Sequence, residues 1–181
     1  AGQLKEHVVP GMHVGILISD SASYASAFLA LVKLGALVIP FHPHWPGEVI
    51  KRCEERMQVS YFVVDSHNRR EAGRLNTPYY LIKRADEIWK EQAKDVSGVD
   101  DVCLDEPFLM MTTSGSTAEP KAVILTQRQM IARILEEEDQ FRLSGEDRML
   151  ISTPLCHALG TRMILTGAYT GNQLVIMRGF T

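Results

Sequence analysis

Residues 12–41 read MHVGILISDSASYASAFLALVKLGALVIPF, and this stretch decides the fold class. MHVGILI (12–18) is an apolar run of strand length. SDSAS follows, with small polar residues of the kind that cap helices; Ser21 and Ser23 are the candidate caps. ASYASAFLALVKLG is apolar on nearly every side. A helix of that composition is buried, and Gly35 is placed to end it. ALVIPF (36–41) is then a short second strand. A strand, a buried helix and a strand in so short a span form the repeating unit of a parallel sheet.

Working outward, HPHWPG stops the second strand and Pro46 opens a helix over GEVIKRCEERMQ. Val49, Ile50, Cys53 and Met57 fall on one side of it and charges on the other. SYFVVD (60–65) is a third strand. The pattern weakens over 66–106, where YYLI (79–82) reads as a short strand and ADEIWKEQA (85–93) as a short helix. KDVSGVDDVCLDEP is acidic and turn-rich, a surface connection. Two more strands follow, PFLMMTT (107–113) and KAVILT (121–126). Thr126 and Gln129 make a capping box for the helix QRQMIARILEEEDQFRL, with Met130, Ile131, Ile134 and Leu135 as its inner stripe. The run Glu136, Glu137, Glu138, Asp139 is its solvated tail. RMLIST (148–153), a helix over HALGTRMILTGAYTG closing at Gly171, and QLVIM (173–177) complete the chain. The expected fold is α/β, layered, with a mainly parallel sheet flanked by helices.

Composition narrows the function. The 181 residues are 45% hydrophobic and 23% charged, as in an ordinary globular domain. Net charge is −3, from 19 basic and 22 acidic residues, which gives no global attraction to nucleic acid or anionic lipid. No apolar stretch reaches the length of a bilayer span, and no signal-peptide pattern opens the chain. Cys53, Cys103 and Cys156 form no CxxC pair, so neither a zinc site nor a disulfide framework is indicated; they read as reduced thiols of a cytoplasmic protein. Cys156 adjoins His157, but neighbours on a helix point apart, which argues against a Cys–His catalytic pair. His42 and His44, in FHPHWP, have no third ligand nearby in sequence and read as a surface loop.

The chemistry concentrates in MTTSGSTAEPKAVILT, Met111 to Thr126. Backbone N–H groups of a tight glycine-containing loop converge on anions. Hydroxyls add donors, and a lysine adds charge. A strand, the loop TTSGSTAEPK and a strand therefore suit either a polyphosphate cradle or a plain hydroxyl-rich turn. The Walker-type loop is excluded, because no Gly-Lys-Ser/Thr is present and the exit reads as a strand. The dinucleotide fingerprint G-x-G-x-x-G is absent as well.

TTSGSTAEPKAVILT resembles the phosphate-binding loop of the adenylate-forming superfamily, approximately T-S-G-[ST]-T-G-x-P-K-G-V. This sequence matches it at Thr113, Ser114, Gly115, Ser116, Thr117, Pro120, Lys121 and Val123. The segment SASYASAFLALVKLGALVIPFHPHWPGEVI resembles the superfamily's early helix-strand segment. STPLCHALGTRMILTGAYTGNQLVIM resembles its P-L-[FY]-H-x-x-G segment, in the histidine form of acyl- and aryl-acid ligases. The resemblance spans nearly all of residues 1–181 and implies part of the large N-terminal AMP-binding domain of an AMP-forming acid–thiol ligase. It implies that a carboxylic acid attacks the α-phosphate of ATP, with Mg²⁺ present, and that coenzyme A or a carrier-protein thiol then takes the acyl group. Thr113, Ser114, Gly115, Ser116 and Thr117 would hold the β- and γ-phosphates, Lys121 would lend charge, and Thr117 would lie near the metal. His157 would line the acid pocket.

Two positions depart from the pattern: Ala118 and Ala122 stand where glycine is usual. If the loop needs positive φ there, each alanine costs about 1–2 kcal/mol. The superfamily's aromatic-x-T-E segment, ribose-binding aspartate and late lysine are not found in these residues, and both ends of the sequence read as cut. These residues by themselves are therefore expected not to form adenylate. The alternative is a non-catalytic relative that serves as a binding or scaffold domain.

Overall fold

The computed structural model describes residues 3–82, 103–113 and 121–177. Six strands form one sheet: β1 (His13–Leu17), β2 (Leu37–Pro40), β3 (Tyr61–Val64), β4 (Tyr79–Leu81), β5 (Pro107–Thr113) and β6 (Lys121–Thr126). Their order is β4-β3-β1-β2-β5-β6. Every neighbouring pair is parallel except β5 and β6, which run antiparallel along one edge. The α/β fold with a mostly parallel sheet is thus as the sequence pattern implies.

Alternation along the strands explains the layers. Val14 and Ile16 of β1, Val38 of β2 and Val63 of β3 pack on one face. Leu17, Leu37, Ile39, Phe62 and Val64 pack on the other. On the first face lies α1 (Ser21–Lys33), which buries Tyr24, Ala27, Phe28 and Leu31. On the second lies α2 (Gly47–Arg56), which buries Ile50 and Cys53. A short α3 (Arg69–Ala72), with no hydrophobic periodicity to announce it, precedes β4. Then come α4 (Gln127–Phe141), β7 (Arg148–Ile151), α5 (Ala158–Thr170) and β8 (Gln173–Ile176). β7 and β8 pair in parallel as a separate two-stranded sheet. Met130 and Ile134 of α4, Ile151 of β7 and Ile164 of α5 join the α1 side of the core, so these later elements cover the first face.

Several local expectations change. Asp20, not Ser21 or Ser23, caps α1: its carboxylate accepts from the Ser23 N–H, and Ser21 is the first helical residue. A carboxylate at that end also complements the helix dipole. The capping box of α4 is present as read. Its inner stripe is narrower than read, because Met130 and Ile134 are buried while Leu135 is 44% exposed. Glu54 of α2 is buried despite its charge, its Oε1 accepting from the Thr77 N–H at 2.8 Å. The expected helix over 85–93 lies outside the described residues.

Candidate functional site

The β5–β6 hairpin frames the hydroxyl-rich loop. Thr113 ends β5 and Lys121 begins β6, and the two are register partners at the edge of the sheet. Ser114, Gly115, Ser116, Thr117 and Ala118 lie outside the described residues, as does the side chain of Thr113. Lys121 is exposed at the base of the loop. Ala122 is a strand residue paired with Thr112, and among the described residues only Gln58 and Arg142 have positive φ without being glycine. The expected backbone strain at Ala122 is therefore absent, since extended backbone accepts alanine without penalty.

His157 occupies the N-cap position of α5 with extended backbone, and its N–H donates to the Pro154 carbonyl at 3.0 Å. Three features pin the turn before it. The Thr161 hydroxyl donates to the Leu155 carbonyl at 2.8 Å. The Thr161 N–H donates to the His157 carbonyl at 2.9 Å. Gly160 lies so close that a Cβ there would sit 2.4 Å from the Pro154 carbonyl oxygen. The glycine six residues beyond Pro154 is thus a packing residue that lets the histidine-bearing turn lie on the helix.

That turn meets the loop after β2. The rings of His42 and His157 contact edge to face with centroids 5.4 Å apart, and His44 lies 5.5 Å from His42. Donor atoms of His42, Cys156 and His157 all fall within 4.8 Å of one another. Burial, then the neighbouring His157 and His44, pull the His42 imidazole below its ordinary pKa. Burial pushes the Cys156 thiol up to about 11. Two readings from sequence are corrected here. Residues 154–157 precede the helix, so Cys156 and His157 are not splayed by helical geometry. The third donor near His42 comes from more than a hundred residues downstream, a juxtaposition that local spacing could not show.

The strand before the loop and the helix after His157 share a cavity. A space of about 390 Å³ is lined by Met111 of β5 and by Ala158 and Arg162 of α5, with Gln129, Met130 and Arg133 of α4. Met111 lies two residues before Thr113, and Ala158 directly follows His157. The loop's leading strand and the helix that His157 caps therefore border one space. Arg162, one of its lining residues, pairs with Glu137 at 2.6 Å.

Another familiar position is closed. In open parallel sheets, ligands favour the carboxyl ends of strands where the chain reverses its direction of winding. Here that place lies beyond β1 and β3, and Asp65 fills it. One of its carboxylate oxygens accepts from the N–H groups of Ser19 and Asp20 at 2.7 and 3.1 Å. The other accepts from the Asn68 backbone and side chain at 3.2 and 2.7 Å. The protein's own carboxylate takes the anion position ahead of α1, consistent with the missing dinucleotide fingerprint. No motif marked this residue; its only signal was an acid closing the strand SYFVVD.

Among the described residues no helix is long and apolar enough to cross a membrane. Sequence comparison aligns the chain with a dimodular nonribosomal peptide synthase of Bacillus subtilis, 26% identical over 178 residues, covering 97% of this chain and 7% of that protein. It aligns also with 4-coumarate–CoA ligase-like 6 of Arabidopsis thaliana, 25% identical over 185 residues, covering 92% of this chain and 33% of that one. The chain thus spans a third or less of these two relatives. Among solved structures, o-succinylbenzoate CoA synthetase of Bacillus subtilis, in complex with its acyl-adenylate intermediate, superposes with a TM-score of 0.83. It is 23% identical, over 99% of this chain and 47% of that one, a likeness of fold. The AMP-binding enzyme family matches residues 1–181 in full, and the chain belongs to that family.

Proposed function

We propose that this protein activates a carboxylic acid with ATP and passes the acyl group to a thiol. The observation that carries the reading is the cavity bordered jointly by β5 and the helix that His157 caps. It would bring a phosphate-holding loop and an acid-binding residue to one space. The carboxylate oxygen would attack the α-phosphorus, the bond to pyrophosphate would break, and the acyl-adenylate would form. A thiol, that of coenzyme A or of a carrier protein, would then attack the acyl carbon and release AMP. Two anions meet in the first step, so the reaction needs preorganised donors and positive charge.

Ser114, Gly115, Ser116 and Thr117 would donate to the β- and γ-phosphates, with Thr113 at the loop's entry and Lys121 supplying charge from its base. This donor set of hydroxyls, backbone N–H groups and an ammonium suits a polyphosphate. Mg²⁺, bound with the phosphates near Thr117, would neutralise their charge. His157 would line the acid pocket beside Ala158. The described cysteines are free, in keeping with a reducing, cytoplasmic setting.

The test is acid-dependent exchange of labelled pyrophosphate into ATP across fatty, aryl and amino acids, using the longest product of the gene. We expect exchange with one acid class and a loss of about a hundredfold in Lys121→Ala, the scale of removing one preorganised donor. Full exchange in that variant would overturn the role of the lysine. We propose further that residues 1–181 alone do not complete adenylation, because the chain spans so little of its relatives. Exchange by these residues alone would refute that.

A further inference from the structure

Cys156, His157 and His42 form a donor cluster that the acid-activation reading does not use as a set. It joins two distant parts of the chain. His42 leaves the carboxyl end of β2, where the Phe41 N–H still donates to the Ile16 carbonyl at 2.9 Å. Cys156 and His157 sit on the pinned turn ahead of α5. Both anchors are rigid parts of the fold. Their donor atoms lie within 4.8 Å of one another, with Cys156 half-buried and His157 exposed.

We propose that His42, Cys156 and His157 bind a thiophilic divalent transition-metal ion, Zn²⁺ foremost, as three protein ligands with a fourth position open to solvent.

The donor set selects the metal. Two imidazoles and a thiolate suit Zn²⁺ and its neighbours, whereas Mg²⁺ and Ca²⁺ take oxygen. Three protein ligands and an open position is a known zinc arrangement. Tetrahedral bonds of about 2.0–2.3 Å put donors roughly 3.3–3.7 Å apart, so the cluster contracts by about an ångström on binding. The exposed His157 ring has the freedom to make that move. The site lies at a helix N-terminus, where the dipole opposes a bare cation but favours a thiolate. The sulfur is therefore the indispensable donor; its proton leaves to solvent as the sulfur–metal bond forms. His42 Nδ1 accepts from the His44 N–H at 3.2 Å, a long and exposed bond. An imidazole holding metal through Nε2 carries its proton on Nδ1, so this weak bond is the interaction given up.

Titration with Co²⁺ as a spectroscopic probe, with equilibrium dialysis against Zn²⁺, tests the site directly and needs no activity. We expect one ion per chain and a thiolate-to-Co²⁺ charge-transfer absorption. Cys156→Ser should abolish that absorption, and His42→Ala should weaken binding about tenfold or more, since even outer-shell changes at metal sites cost that much. Cys103→Ser, which removes an exposed thiol elsewhere, should leave both unchanged. Circular dichroism establishes that each variant is folded. Should Cys156→Ser not fold, His42→Ala and His157→Ala decide the question by the same affinity readout. Absence of stoichiometric binding, or binding of undiminished affinity in His42→Ala, overturns the proposal.

Discussion

Replacing Gly160 by alanine tests how the histidine-bearing turn is held. A Cβ at this position would stand 2.4 Å from the Pro154 carbonyl oxygen and 2.8 Å from the Leu155 Cα. Ordinary contact distances are about an ångström longer. Both neighbours are backbone, so no side chain can swing away to relieve the clash. Either α5 lifts from the turn or the turn moves off the helix. Overpacking of this kind costs about 1–3 kcal/mol. Alanine also returns roughly 1 kcal/mol through its better helix propensity. The net expectation is a destabilisation of up to about 2 kcal/mol, with Leu159→Ala as the control on the same turn. Leu159 is 43% exposed, so its truncation costs much less.

The assay is urea unfolding of both variants beside the parent, read as a change in midpoint at constant slope. A second readout follows from the geometry. The turn carries Cys156 and His157, so a shifted turn separates them from His42. Gly160→Ala should therefore weaken Co²⁺ binding while Leu159→Ala leaves it alone. If Gly160→Ala is as stable as the parent or more stable, propensity has won, the close approach is not a constraint, and the packing role assigned to this glycine fails.

Two further outcomes test the chemistry of single side chains. Asp65→Ala strands four N–H donors around a buried site, those of Ser19, Asp20 and Asn68, the last contributing two. We expect a loss of about 3–5 kcal/mol in urea unfolding, the cost of emptying a buried charged acceptor; a loss under about 1 kcal/mol would show that water replaces the carboxylate. Alkylation should order the thiols. With its pKa near 11, Cys156 is ionised to roughly one part in a thousand at pH 8, and burial raises Cys53 as well, so the exposed Cys103 should react first. The Cys156 rate should climb with pH up to about 11; a rate already level at pH 8 would contradict the shift. Mass spectrometry of timed digests distinguishes the cases.

The fold was legible wherever periodicity and burial agree. β5 and β6 fall on 107–113 and 121–126, and the Thr126–Gln129 box marks the start of α4, because a capping signal and a hydrophobic pattern coincide there. The errors have physical causes. Asp20 outcompeted two serines as cap because a carboxylate accepts from the helix N–H groups and meets the dipole as well. Glu54 and Leu135 exchanged their expected environments because tertiary contacts, not helix phase, decide burial at the margins. The separate β7–β8 sheet could not be read, since period and length identify strands but not their partners. The site divides in the same way. The loop after Thr113 and the segment around His157 announce themselves by local residue types. The meeting of His42 with Cys156 and His157 does not, because nothing in FHPHWP points across the sheet to PLCHALG. Local spacing argued there against a metal site and against a Cys–His pairing. Both arguments assumed neighbours in sequence, and the fold supplied neighbours in space. Family resemblance identifies the functions that many chains share; a donor cluster assembled across two separate motifs is visible only once the strands and helices that carry it are in place.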